Sequence, residues 1–339
     1  MQVSARSWCR VDFAGGTLDI WPLGLLHPGA VTVNLAIDIA TQVDLRPSVG
    51  SSGADRAKER GEYRLVAGED IRTTRDLSHW FEDPATALVG HLASSLGLEP
   101  LEIEIHSESP RGGGLGASSA IAVAFIAAAE RYTGVEETSV DARSRLARDV
   151  EARVMGLPTG RQDHLPALCG GLLAIEHEPG GERITRLEFD LEVLGNSLVV
   201  AYSGQSHFSA GNNWRIVRRR LDGDPTVVRH LEEIARTARE TVEAFRAESL
   251  ERVGELMSRE WSHRRQLADG ISTPQIETML RTATDHGAWG GKACGAGGGG
   301  CVAVLAPPER RREVAAALSE VAEVLPAKPC SRPLELRSE

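Results

Sequence analysis

Cysteine is scarce in this sequence: Cys9, Cys169, Cys294, Cys301 and Cys330 are the five among 339 residues. Their number is odd, their spacing wide and none forms a CxxC pair, which argues against a disulfide framework and a cysteine-built zinc site. Reduced, mostly buried thiols are the expectation. Long apolar runs are missing too. The best stretch, residues 117–129, falls short of the ~20 residues that span a bilayer and reads as a buried helix. The opening MQVSARSWCRVDF carries no basic segment followed by an apolar one, so no secretory leader and no membrane partner is expected, and a cytoplasmic location is. Positive charge is in deficit, 38 Lys and Arg against 48 Asp and Glu, for a net charge of −10. A sequence-independent nucleic-acid binder needs a cationic face to displace counterions, so that class is set aside. A small anionic ligand is not, because a few local donors can hold one phosphate inside an acidic protein.

What remains is the balance of a globular protein, 41% hydrophobic and 25% charged, long enough for one large domain or two that share an interface. No repeat at solenoid spacing occurs. Residues 30–45 are β-branched and alternating, and residues 101–106 (LEIEIH) alternate strictly, so both read as strands. The polar, Gly/Ser-rich segment 48–60 reads as an exposed loop. Helices are expected over 120–130 and 141–155, the second stopping at Gly156-Leu157-Pro158, with strands over 171–176 and 197–202. Residues 225–247 and 250–268 then carry apolar side chains at three-to-four spacing, followed by a short strand over 302–305 and a helix over 310–324. The shift from strand-rich to helix-rich near residue 190 predicts an α+β chain with domains at 1–190 and 191–339.

The most informative segment is Pro110-Arg111-Gly112-Gly113-Gly114-Leu115-Gly116-Ala117-Ser118-Ser119-Ala120. Glycines let the backbone take positive φ and approach a ligand closely. The serines open a helix whose first N–H groups lack intrahelical partners and sit at its positive dipole end. Strand, glycine loop and helix N-terminus in that order make a phosphate cradle. It is not a Walker loop, since no Gly-Lys-Ser/Thr ends it, and it lacks the GxGxxG spacing of a dinucleotide site.

This segment resembles the second motif of the GHMP kinases (galactokinase, homoserine kinase, mevalonate kinase, phosphomevalonate kinase), P-x-G-x-G-L-G/S-S-S-S/A, departing from it at Ala117, where serine is usual. Further segments match in the same order. Residues 10–19, Arg10 through Gly15-Gly16-Thr17-Leu18-Asp19, resemble the R-x-x-x-x-G-G-x-x-D first motif of the heptose-phosphate kinase and fucokinase branch. Gly160-Arg161-Gln162-Asp163-His164 resembles the segment that supplies the family's catalytic aspartate, with His164 where glutamine is usual. Tyr202-Ser203-Gly204-Gln205-Ser206-His207 is similar to the branch's Y-T-G-x-x-R, with His207 in place of arginine. Residues 292–301, with Gly297 and Gly298 at their centre, resemble the third motif, a glycine loop that closes over the nucleotide.

The resemblance implies an N-terminal domain like the second domain of ribosomal protein S5, a ferredoxin-like C-terminal domain, and ATP with Mg2+ as the phosphoryl source. It implies Asp163 as the base, Arg10 as its charge partner, Ser118 and Glu151 as magnesium ligands, and residues 112–119 with Gly297 and Gly298 around the nucleotide. Asp19, Gly16, Thr17, His164 and Tyr202 are expected at the sugar. A carboxylate such as Asp19 can accept two adjacent hydroxyls; Asp12, Trp21 and His27 lie nearby in sequence. For Glu151 a solvated pair with Arg148 or Arg153 competes, and for Asp163 a helix cap. The expected reaction is phosphorylation of a sugar or sugar phosphate, heptose 7-phosphate or fucose-like, with the anomeric hydroxyl implied by the branch. A cyclitol or isoprenoid-alcohol kinase, a decarboxylase of the mevalonate diphosphate type and a non-catalytic sugar or nucleotide sensor are the alternatives. For a phosphorylated substrate, Arg111, Arg161 and Arg215 are the candidate second basic cluster. A monomer and a homodimer are both compatible.

Overall fold

Alternating and β-branched runs at the start of the chain form two long strands, β1 (Val3–Ala14) and β2 (Val31–Pro47), with a single 3-10 turn at Leu23–Leu26 between them. The structure, a computed structural model, describes residues 1–48, 61–206 and 210–339. The segment read as an exposed loop at 48–60, from residue 49 on, and His207 lie outside the described residues. A hairpin of β3 (Tyr63–Ala67) and β4 (Asp70–Thr74) leads to α1 (Ala87–Ser95), β5 (Leu101–Ser107), α2 (Ala117–Thr133), α3 (Val140–Met155) and α4 (His164–Cys169). The hairpin of β6 (Leu172–Glu178) and β7 (Gly181–Arg186) follows. Beyond it come α5 (Leu191–Gly195), β8 (Leu198–Tyr202), α6 (Ala210–Leu221), α7 (Pro225–Arg246), α8 (Leu250–Arg264) and α9 (Pro274–Asp285). The chain finishes with β9 (Gly290–Ala293), β10 (Cys301–Leu305), α10 (Arg311–Ser319), β11 (Glu323–Leu325) and β12 (Glu335–Ser338).

The described strands form two sheets. The first has eight, in the order β12-β1-β2-β5-β3-β4, with β6 and then β7 attached to β2. Strand β2 serves three partners: β1 along most of its length, β5 along Thr41–Pro47 and β6 along Val31–Leu35. One irregularity in the β1–β2 register falls between Asp12 and Ala14. Such an irregularity bends a strand and re-aims its side chains, and it lies where β1 reaches the site described below. The second sheet is the four-stranded antiparallel β11-β8-β10-β9.

Helix α2 is apolar nearly all round, and Val123, Phe125, Ile126 and Ala127 are buried, the signature of a core helix. It packs on β1 and β2, while α7 and α8 pack on each other and on both sheets. One continuous core therefore joins Val11 and Phe13 of β1 to Phe245 of α7 and Ala303 of β10. Phe245 stands edge-on to Phe13 and Phe189, with centroids 5.2 and 5.5 Å apart.

The α+β class holds. The helix expected over 310–324 stops at Ser319, because Val324 and Leu325 pair with Ala201 and Val200 and extend the second sheet instead. Helix α9 was not foreseen, although Thr273 caps it and Pro274 sits in its first turn, both readable start signals. Truncating the ring that ties the sheets together, Phe245→Ala, is expected to cost about 3–5 kcal/mol of folding free energy. Urea unfolding followed by circular dichroism measures it; a loss under 1 kcal/mol contradicts a shared core.

Candidate active site

Strand β5 ends at Ser107, and the glycine loop carries the chain from there to α2 without regular structure. Gly116 stands at the N-cap with φ 75° and no side-chain cap, so the first turn of α2 opens onto the loop. Gly114, also at positive φ, has no room for a side chain: a Cβ there would lie 2.7 Å from the Cys294 carbonyl oxygen. The two glycine loops therefore touch through their backbones.

Arg10 joins the first loop to Asp163. Its backbone N–H donates to Leu115 O at 2.9 Å and its Nη1 to Gly114 O at 2.6 Å. Nε and Nη2 reach Asp163 Oδ1 at 2.8 and 2.6 Å. Burial pulls the guanidinium pKa down, but the carboxylates of Asp163 and Asp12 more than offset this and hold it above its ordinary value. Asp163 occupies the N-cap position of α4, yet its side chain makes no capping hydrogen bond. The carboxylate is committed to Arg10 and stays 28% exposed, open to the cleft.

Glu151 is buried near the end of α3 and accepts from Ser118 Oγ at 3.1 Å and from Ser119 Oγ at 3.0 Å. The Nε2 of His164 lies 2.8 Å away. Against the upward push of burial, that ring and the two hydroxyls keep the carboxyl below its usual range. The competing surface pair does not form, since Arg148 bonds Asp149 instead. Ser118 and Glu151 thus bring two hard oxygen donors together at the start of α2, a set that suits a small divalent cation whose other ligands are phosphates and water. Among the described residues no cluster of three or more His, Cys, Asp or Glu offers an all-protein metal cage.

Beneath this lies a second charged cluster. Lys292 of β9 is fully buried, bonds Asp12 Oδ2 and stands 3.4 Å from Glu260 Oε1. Asp12 Oδ1 also accepts from Gly295 N at 2.9 Å, and Arg264 Nη2 donates to Gly295 O at 2.8 Å. Burial raises the Asp12 pKa, but Lys292 and Arg10 overcome it and hold the group below the normal range.

These elements surround a cleft of about 240 Å³. Of the residues expected from sequence, it brings together Arg10, Thr17, Asp19, Gly114, Gly116, Ser118, Ser119, Glu151 and Asp163. Asp19 accepts from Gln162 N at 3.1 Å, and Gly160 admits it, since a Cβ there would overlap the carboxylate. Burial, then the nearby charge of Asp163, push Asp19 up to about 6.

Other expected residues lie outside the cleft. His164 is buried and turned toward Glu151, and Tyr202 directs its hydroxyl at the Arg111 carbonyl, 3.3 Å away. Gly112 abuts Ser206 and Gly113 lies under Cys301. Leu115 is buried, and Ala117 packs against the core. Gly16 abuts Arg264, and Gly297 and Gly298 pack on Ile271. It is Gly295 and Ala296 that represent the second glycine loop in the cleft. Trp21 is exposed, and His27 accepts from Arg220. The suggested basic cluster does not assemble: Arg111 is exposed, Arg161 is bound by Asp141 and Glu182, and Arg215 bonds Asn212.

Sequence reading missed Asn213 and Arg264, both lining the cleft. Each sits in an arginine-rich amphipathic helix, where nothing in the pattern separates a cleft residue from a solvated one. A larger cavity of about 720 Å³ lies between α7 and the β6–β7 hairpin, lined by Arg236, Glu243 and Arg252 among others. It shares no residue with the cleft, and these side chains are already in ion pairs. The cleft, with the partly exposed Asp163 carboxylate and its unpartnered polar atoms, is the candidate site.

Two family models match the chain: the GHMP kinases N-terminal domain over residues 84–171 and the GHMP kinases C-terminal model over residues 241–324. A mevalonate kinase from Methanothermobacter thermautotrophicus is 30% identical over 230 residues, covering 65% of this chain and 71% of that protein. A bifunctional fucokinase/GDP-fucose pyrophosphorylase from Arabidopsis thaliana is 26% identical over 311 residues, covering 85% of this chain but 28% of the longer relative. Among solved structures, a D-glycero-D-manno-heptose 1-phosphate kinase from Bacteroides thetaiotaomicron superposes with a TM-score of 0.76 at 20% identity, covering 99% of each chain. Lactococcus lactis galactokinase gives 0.78 at 15%, covering 98% of this chain and 95% of that one. Among the described residues no helix is long and apolar enough to cross a membrane.

Replacing the buried cation, Lys292→Met, leaves Asp12 and Glu260 without their shared counter-charge. A loss of about 3–5 kcal/mol is expected, read by guanidinium unfolding. An unchanged midpoint means that the pair contributes nothing to folding.

Proposed function

Because the chain belongs to the GHMP kinases, and is therefore a phosphotransferase with an alcohol group as acceptor, we propose that it transfers the γ-phosphoryl group of ATP to a hydroxyl of a sugar or sugar phosphate. Heptose- and fucose-like acceptors, phosphorylated at the anomeric hydroxyl, are the preferred candidates. The main support is the polar lining of the cleft. Thr17 Oγ1, Asp19 Oδ1, Gln162 Oε1 and Asn213 Oδ1 are buried without hydrogen-bond partners, and all four residues line the space beside Asp163. Buried polar atoms are costly to leave unpaired, so such a set calls for a ligand rich in hydroxyls. We take residues 1–190 and 191–339 as the two domains that contribute to the site.

In this reading Asp163 accepts or orients the proton of the attacking hydroxyl. Arg10 holds that carboxylate in place and contributes positive charge where the phosphoryl group moves. The glycine loop and the open first turn of α2 cradle the nucleotide phosphates. Ser118 and Glu151 would hold magnesium, which when bound neutralises phosphate charge. His164 keeps Glu151 placed from behind. Asp19, Thr17, Gln162 and Asn213 bind the acceptor.

A second reading has one specific support, the relatives named mevalonate kinase: a branched hydroxy acid as acceptor, with Ile20, Met155 and Pro158 as the apolar wall of the cleft. ADP release with magnesium, measured over a panel of heptose 7-phosphate, fucose, galactose, a cyclitol and mevalonate, separates the readings. Asp163→Ala is expected to lower kcat by about 10²–10⁴ on the preferred acceptor. ATP binding without turnover on any acceptor supports a sensor instead.

The acceptor site is expected to depend on pH in a definite direction. Asp19 accepts hydroxyl hydrogen bonds as a carboxylate and weakens as an acceptor once protonated, so kcat/KM falls as pH drops through about 6. Asp19→Asn, which cannot titrate, flattens that limb while lowering the plateau. A wild-type profile flat down to pH 5 rules out this role for Asp19.

A further inference from the structure

We infer that Arg264 recognises an anionic group, phosphate or carboxylate, carried by the acceptor itself, so that the enzyme selects acidic over neutral polyols. The inference deepens the sugar-kinase reading and rests on it.

The buried arginines among the described residues are Arg10, Arg143, Arg161 and Arg264. Three of them have a carboxylate within hydrogen-bond distance: Asp163 for Arg10, Glu130 for Arg143 and Asp141 for Arg161. Arg264, at the end of α8, does not. It is 2% exposed, and Nη2 donates to a backbone carbonyl, while Nε and Nη1 have no hydrogen-bond partner. The nearest carboxylate, Glu260, is 3.8 Å from Nη1 and lies closer to Lys292, at 3.4 Å. A desolvated guanidinium with two unpartnered donors, whose ion pair with Glu260 is shared with Lys292, is unfavourable unless something completes its hydrogen bonding.

Arg264 lines the cleft together with Thr17, Asp19 and Asn213. The chain makes room for it at Gly16, where a Cβ would stand 2.9 Å from Nη1 and 3.2 Å from Asp12 Oδ2. Arg264 therefore abuts the 15–19 turn, the acceptor side of the site, whereas Arg10 is already committed to Asp163 and to the phosphate loop. A neutral hydroxyl can accept from one donor but adds no counter-charge to the one that Glu260 shares with Lys292. Guanidinium presents only donors, and charged phosphate or carboxylate oxygens accept from them more strongly than a neutral hydroxyl does. The neighbouring acceptors, Asp19 Oδ1, Thr17 Oγ1 and Asn213 Oδ1, suit the hydroxyls of the same molecule.

The test compares matched acceptors: an aldose, its terminal phosphate ester and its uronate, with wild-type protein, Arg264→Gln and Arg264→Lys. Calorimetric binding of each acceptor to the protein accompanies steady-state kinetics. Wild type is expected to bind one of the two acidic forms about ten- to a hundredfold more tightly than the neutral parent. Which form is preferred tells phosphate from carboxylate. Arg264→Gln is expected to remove that preference with the KM for ATP unchanged, and Arg264→Lys to restore part of it. Equal binding of neutral and acidic forms by wild type overturns the inference even where turnover is good. So does an Arg264→Gln protein that loses turnover equally on all three acceptors and raises the KM for ATP, which assigns the residue to the nucleotide. Calorimetry also separates the two proposals: selective binding of an acidic form without turnover keeps Arg264 and sinks the kinase reading. Thermal unfolding of both variants confirms that a lost preference is not a lost fold.

Discussion

Asp12 meeting Lys292 is the interaction on which the arrangement of the site depends. One residue belongs to β1 of the first sheet, the other to β9 of the second, and both are fully buried. Burying two charges is costly unless they are paired and their remaining hydrogen-bonding capacity is used. Asp12 uses its other oxygen on Gly295 N, so the pair also fixes the second glycine loop against the first. Arg10, two residues earlier on the same strand, aims at Asp163 and Gly114. A short length of β1 thus orients the Asp163 carboxylate, the first glycine loop and the second glycine loop set against it. The register irregularity after Asp12 falls where the strand leaves this duty and turns toward Thr17 and Asp19.

Much of this was legible in the sequence, for identifiable reasons. Motifs in which glycine and a functional side chain sit a few residues apart report local geometry, and local geometry survives folding. The strand–loop–helix around Gly114 and Ser118, the Gly160–Asp163 turn and the Arg10–Asp19 segment all converge as their patterns indicated. Long helices with a clean apolar face, such as 225–246, were equally plain.

The rest depended on contacts between distant residues. Arg264 stands in a helix with several arginines, and only its burial and the absence of a carboxylate within hydrogen-bond distance set it apart from Arg252 or Arg259, which pair with Glu240. His164 adjoins Asp163 in sequence, yet the first turn of α4 rotates it away to Glu151. Gly297 and Gly298 lie within a run of four glycines, where the pattern cannot say which positions face a ligand and which meet Ile271. Residues 320–325 carry a weak helical pattern that the unpaired edge of β8 overrides.

The pairing of β12 with β1 has a consequence for how the molecule is made. Trp8 lies beneath the returning chain: its indole donates to Pro333 O, and Arg332 stacks on its face. Cys330 and Ala36 bond through their backbones, and Ser338 stands opposite Val3. At 5–20 residues per second a ribosome needs ~15–65 s to synthesise the stretch between these partners. During that interval the outer edge of β1 is unpaired and the tryptophan uncovered. An open strand edge beside exposed apolar surface is the species that chaperones bind and that aggregates grow from. The first sheet is thus the earliest to be synthesised and among the last to be completed, and the nascent chain depends on whatever shields that edge until residues 330–338 emerge.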